Sequence, residues 1–186
     1  VTERYREMSP KDIGMLTWGL ASCRYRHTSS LSAISAVVLE HADLLEPTEL
    51  SNIVWGFAAL HFRQGEVMAK LAQPCVDSLP AFKSKELASI LWSYASMSFR
   101  DEHHTRVDSQ LFVKISDQLA GRASDFDAQG VSNLIWSYAN MLHYPSDQLL
   151  QRTVDRMKSL LSRFSPQELS NVLWALERLC YADGVM

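Results

Sequence analysis

Apolar residues along the chain fall into one eleven-residue pattern written five times: "IGMLTWGLASC" (Ile13–Cys23), "LSNIVWGFAAL" (Leu50–Leu60), "LASILWSYASM" (Leu87–Met97), "VSNLIWSYANM" (Val131–Met141) and "LSNVLWALERL" (Leu169–Leu179). Positions are counted from the tryptophan of each copy, with a turn of about 100° per residue for an α-helix. Positions −5, −2, −1, +2, +3 and +5 are then apolar almost throughout and fill one wide arc. The tryptophan stands at the margin of that arc, beside a small residue at −4, and positions −7, −6, −3, +1 and +4 share the remaining strip. This predicts a helix buried on most sides with one narrow open face. Position +1 is Gly19, Gly56, Ser93, Ser137 or Ala175, small in every copy, as the close approach of a neighbouring backbone demands. A tryptophan in such a seam reads first as a packing element.

Three of these helices have clear start signals: "SPKD" from Ser9, "EPTE" from Glu46 and "SPQE" from Ser165. An N-cap residue, proline at the first helical position and a carboxylate three residues on suit a helix start. Between the tryptophan helices lie second amphipathic stretches, beginning at Leu31, Gly65, Ser109 and Ser146, with apolar residues every three or four positions. Pro74 falls inside one of them and is expected to kink or split it.

The tryptophans, Trp18, Trp55, Trp92, Trp136 and Trp174, are separated by steps of 37, 37, 44 and 38 residues. A period of this size marks a repeat array in which each unit packs mainly on its neighbours. The expectation is therefore an all-α chain, an α-solenoid of about four and a half helix-turn-helix units of 37–44 residues, forming a single array over residues 1–186. Unit boundaries fall near 9–45, 46–81, 82–125, 126–164 and 165–186, the last incomplete. The stretch "TERYREM" reads as the tail of an earlier second helix, so the chain looks like a segment of a longer array or one whose ends are capped by something else.

Composition narrows the class. With 47% hydrophobic and 21% charged residues over 186 positions, the chain has ample material for a core. No run approaches the roughly 18 apolar residues of a membrane span. The net charge of −3 argues against a chain-wide polyanion-binding surface and confines any basic footprint to local patches. The odd count of three cysteines does not suggest a disulfide framework. Cys23 falls five residues after Trp18, where Leu60, Met97 and Met141 sit in other copies; it and Cys180 read as small core residues.

The strings "ELSNIVWGFAAL", "ELASILWSYASM" and "ELSNVLWALERL" resemble octotricopeptide repeats and the similar heptatricopeptide repeats, and the resemblance extends over practically the whole chain. It implies an organellar helical-repeat protein that binds single-stranded or ribosomal RNA in mitochondria or chloroplasts, the mitochondrion being the preferred expectation. Its role would be in RNA stability, processing or translation, or as a structural component of an organellar ribosome beside neighbouring proteins. Many members of those families carry a RAP domain, which is not legible here.

Two sets of residues bear on RNA. The first is the open strip. Position −3 holds Met15, Asn52, Ser89, Asn133 and Asn171; Lys11, Lys85, Gln129 and Gln167 lie at −7, and Ser22, Ser96, Asn140 and Arg178 at +4. One polar side chain per unit is how helical repeats read one base each. The alternative is that the −3 asparagines tie adjacent units together, which leaves −7 and +4 as the sequence-reading positions. The second set lies just past the first helix. Arg26, Arg63 and Arg100 occupy +8 in three consecutive copies, beside a ring at +7: Tyr25, Phe62, Phe99, His143 or Tyr181. The arginines suit a row of phosphates and the rings suit bases. Equally, the rings fit under the joint and the arginines fit helix-terminal carbonyls.

The adjacent histidines in "DEHHTR" (Asp101–Arg106) have no further ligand nearby in sequence, so neither a metal nor another cofactor is expected. There is no phosphate-cradling glycine loop and no nucleophile elbow, so the chain reads as a binding protein and not an enzyme. The alternative function is a protein-binding scaffold without RNA contact.

Overall fold

A computed structural model of the chain describes residues 2–97 and 105–179. Phe99, Arg100, His103, His104, Cys180 and Tyr181 lie outside the described residues. The chain is all-α. A short α1 (Thr2–Arg6) is followed by four helix pairs: α2 (Pro10–Ser22) with α3 (Thr28–His41), α4 (Pro47–Ala59) with α5 (Gly65–Asp77), α6 (Ser84–Met97) with α7 (Thr105–Leu119), and α8 (Ala128–Met141) with α9 (Asp147–Ser159). A last tryptophan helix, α10 (Pro166–Arg178), closes the described chain.

Two layers result. The tryptophan helices α2, α4, α6, α8 and α10 pack each on the next, and α1, α3, α5, α7 and α9 do the same behind them. Helix α1 takes its place in this second layer: the Tyr5 hydroxyl donates to Ser30 Oγ at 2.8 Å, and Arg6 pairs with Glu40. One continuous apolar core runs between the layers, with Leu31, Ile34, Leu50, Leu71, Leu87, Leu111, Leu134 and Leu149 almost wholly removed from water.

The starts of the tryptophan helices follow their sequence signals. Ser9 and Asp12, Glu46 and Glu49, and Ser165 and Glu168 form reciprocal capping boxes, each with proline in the first turn. The hydrogen bonds of the Ser9 hydroxyl and amide hold the Asp12 carboxyl below its ordinary range. Where the signal is weaker the cap persists, with Glu86 accepting from the Lys83 amide and Asp127 from the Gly130 amide, both at 2.8 Å. Buried Leu45, Phe82 and Phe126 precede three of these caps, spaced as hydrophobic staples toward buried Leu50, Leu87 and Val131.

The second helices differ from expectation in two respects. Each gives way to a separate 3₁₀ turn: Ala42–Leu44, Leu79–Ala81, Ala123–Asp125 and Leu161–Arg163. And α5 is not split at Pro74: the helix forfeits only the one amide bond that proline cannot make, to the Lys70 carbonyl, and resumes with the Ser78 amide on the Pro74 carbonyl at 3.1 Å.

The seam between successive tryptophan helices is built from the small positions. A Cβ on Gly14 would stand 3.1 Å from the Glu49 Cα, and Ser132 Oγ donates to the Glu168 carbonyl at 3.3 Å; both bring −4 of one copy to −6 of the next. Position +1 meets −1 of the preceding copy, as Gly56 meets Thr17. Position +1 is therefore buried in the later copies, and its place on the open strip is corrected: the preceding helix covers it. The tryptophan takes that place. Trp18 is 52% and Trp174 41% exposed, while Trp55, Trp92 and Trp136 are half-buried against the core.

Candidate nucleic-acid interface

The ends of the tryptophan helices explain the ring at +7. Position +6 is left-handed in three copies, at Arg24, His61 and Leu142, with φ of 53°, 51° and 52°. The next amide reaches back to the carbonyl at +2: Tyr25 to Leu20, Phe62 to Phe57 and His143 to Tyr138, at 2.9–3.0 Å. The left-handed residue's own amide bonds to +3. This is a Schellman ending, whose usual companion is an apolar contact from the residue after the left-handed one to the last helical turn. Here that contact is ring on ring, with centroids 5.6 Å apart for Phe62 and Phe57 and 5.9 Å for His143 and Tyr138. Phe62 is buried and His143 half-buried, so both pack under the joint; of the described rings at this position Tyr25 alone stands exposed, on His27. Burial pushes the His143 imidazole below its ordinary pKa.

The arginine row is partly engaged in the same ending. Arg26 is exposed and directs Nη2 at the carbonyl of left-handed His61 in the next unit, at 3.4 Å. Arg63 is exposed too and takes part in an interaction of its own. Further round the stack, Arg122 and Arg156 donate to the carbonyls of Phe82 and Phe126, each closing its own unit from end to start.

Position +4 also ties units together. Asn140 Nδ2 donates to the Ala95 carbonyl at 2.7 Å, and Arg178 Nε to the Ala139 carbonyl at 3.1 Å; both accept at +3 of the preceding copy. The Arg178 guanidinium also lies 5.4 Å from the centre of the Trp174 ring. The inter-unit role weighed for the −3 asparagines therefore falls to +4. The amides of Asn52 and Asn133 have no hydrogen-bond partner among the described residues.

These amides line a cleft of about 300 Å³ that crosses four successive tryptophan helices. Trp18 of α2 stands at one end; Asn52 and Trp55 of α4, Lys85 and Ser89 of α6, and Gln129 and Asn133 of α8 follow. The structure thus brings together Asn52, Lys85, Ser89, Gln129 and Asn133 from the strip, and adds two tryptophan rings that the sequence assigned to packing. Lys11, Asn140, Gln167, Asn171 and Arg178 stand outside the cleft. Glu86 and Asp127 line it as well, and both carboxylates are bound at helix starts. Lys85 is exposed and makes no ion pair among the described residues.

Cys23 proves exposed, whereas Leu60 and Met97 at the same position of later copies are buried, so its reading as a core residue is corrected. Cys75 is wholly buried, and its thiol pKa is pushed up to about 12. In comparison with known proteins, the chain matches no protein-family model and no curated sequence.

Proposed function

We propose that this chain is a non-enzymatic, organellar RNA-binding helical-repeat protein, most at home in a mitochondrion. It would act in RNA stability, processing or translation, or as a structural part of an organellar ribosome. The observation that carries the reading is the cleft across α2, α4, α6 and α8, with its unpaired carboxamides and open tryptophan rings. The likeness of the repeats to octotricopeptide and heptatricopeptide units supports it from the side of sequence. Phosphates would meet Lys85 beside the cleft, and Arg26 and Arg63 at the other end of the helices.

A protein-binding scaffold is the second reading. It is favoured by the net charge of −3 and by the use of Arg26 on a backbone carbonyl. Filter-binding titrations with a single-stranded RNA at several salt concentrations separate the two. RNA binding should weaken with salt by a logarithmic slope of about 0.7 for each phosphate contacted. Absence of saturable RNA binding at low salt would leave the scaffold reading.

A further inference from the structure

We infer that the tryptophans of the repeat are stacking platforms for unpaired nucleobases, and that the −3 side chains beside them contact the base edges. This rests on the RNA-binding reading and names its contact surface. The inference starts from exposure. A single exposed aromatic is ordinary. Here, however, a tryptophan recurs at the same position in all five copies, and its ring is half-buried or exposed in every one. Packing alone would be served as well by leucine, which offers no flat ring. Trp18 and Trp55 face one cleft together, and Asn52, one helical turn before Trp55, lines it too.

The chemistry of the cleft fits a base. A tryptophan face accepts any base, since every base has a π-surface. A carboxamide supplies a donor and an acceptor side by side, the arrangement a base edge requires. At about 300 Å³ the cleft stands at the lower end of ligand-site volumes, suited to flat rings and not to a folded partner.

The test compares a single-stranded RNA dodecamer of mixed sequence with a dodecamer of the same length made of abasic ribose phosphates. Both are titrated into the unaltered protein at fixed low salt, and the RNA also into Trp18→Ala and Asn52→Ala. We expect the abasic strand to bind at least tenfold more weakly, with tryptophan fluorescence quenched by the RNA alone. Trp18→Ala should weaken RNA binding by about five- to a hundredfold, the range found for one base on one aromatic ring. Equal binding of the two strands would overturn the inference and leave RNA binding standing, with its contacts on phosphate. No binding of either strand would overturn both. Because the strand comparison uses the unaltered protein, it decides even if a variant fails to fold.

Discussion

Gly56 lies so close to Thr17 that a Cβ built upon it would stand 2.6 Å from Thr17 Cγ2 and 3.0 Å from the Thr17 carbonyl oxygen. The equivalent Gly19, in the first copy, has nothing within 4 Å. One repeat position thus carries two opposite requirements. Gly56→Ala should lower stability by about 1–3 kcal/mol, because the seam backbone must move apart. Gly19→Ala should raise it by about 0.5–1 kcal/mol through helix propensity. Denaturant midpoints of the two variants check both signs, and equal shifts would show that the seam is not close-packed.

Leu142 holds a left-handed backbone with φ of 52° while its side chain is 71% exposed. Little packing is lost by removing it, and glycine takes that conformation without strain. Leu142→Gly should therefore stabilise the protein by about 0.5–1 kcal/mol, the relief of strain less the added freedom of the unfolded chain. A thermal melt showing destabilisation would refute this account of the helix ending.

Burial beside Tyr138 and Phe112 disfavours the charged form of His143 and lowers its pKa. Its folded pKa lies below the unfolded value of about 6.5, so below that value the unfolded state binds more protons. The stabilisation is present above pH 6.5 and is lost as pH falls through the folded pKa. His143→Phe, which copies Phe62, should flatten the fall in melting temperature between about pH 7.5 and 5. An unchanged pH profile would move the titration elsewhere.

Asn140 separates the two readings of position +4. Its amide is committed to the Ala95 carbonyl, so Asn140→Ala should cost about 0.5–1.5 kcal/mol of stability. Affinity for single-stranded RNA should stay within about twofold, since interactions at separate sites are close to independent. A large loss of affinity with unchanged stability would return +4 to the reading strip.

Much of the fold was legible because the tryptophan copies repeat and their caps are local. Ser9, Glu46 and Ser165 announce helices through neighbours only three residues away. The open face was read less well. Angles around one helix show which residues share a side, not which side a neighbour covers; hence +1 was placed in the open and the tryptophan at the margin, as a packing element. The ring at +7 was visible, but its cause was not. Arg24, His61 and Leu142 adopt a conformation usually signalled by glycine, and none of them is glycine. In the cleft, Asn52, Lys85, Ser89, Gln129 and Asn133 were foreseen as a strip, whereas Trp18 and Trp55 joined them only through the stacking of units.

The cleft between Trp18 and Asn133 crosses three seams, those of α2 with α4, α4 with α6 and α6 with α8. Its width is therefore a sum and not a property of any one joint. Like the ribs of a fan, the four helices convert a small change at each pivot into a larger one at the open edge. A methyl group added at Gly14 or Gly56 would therefore alter the width of the cleft by way of the seam of α2 with α4. The small residues of the repeat thus set the gauge of the cleft on which the polar residues and the tryptophans open.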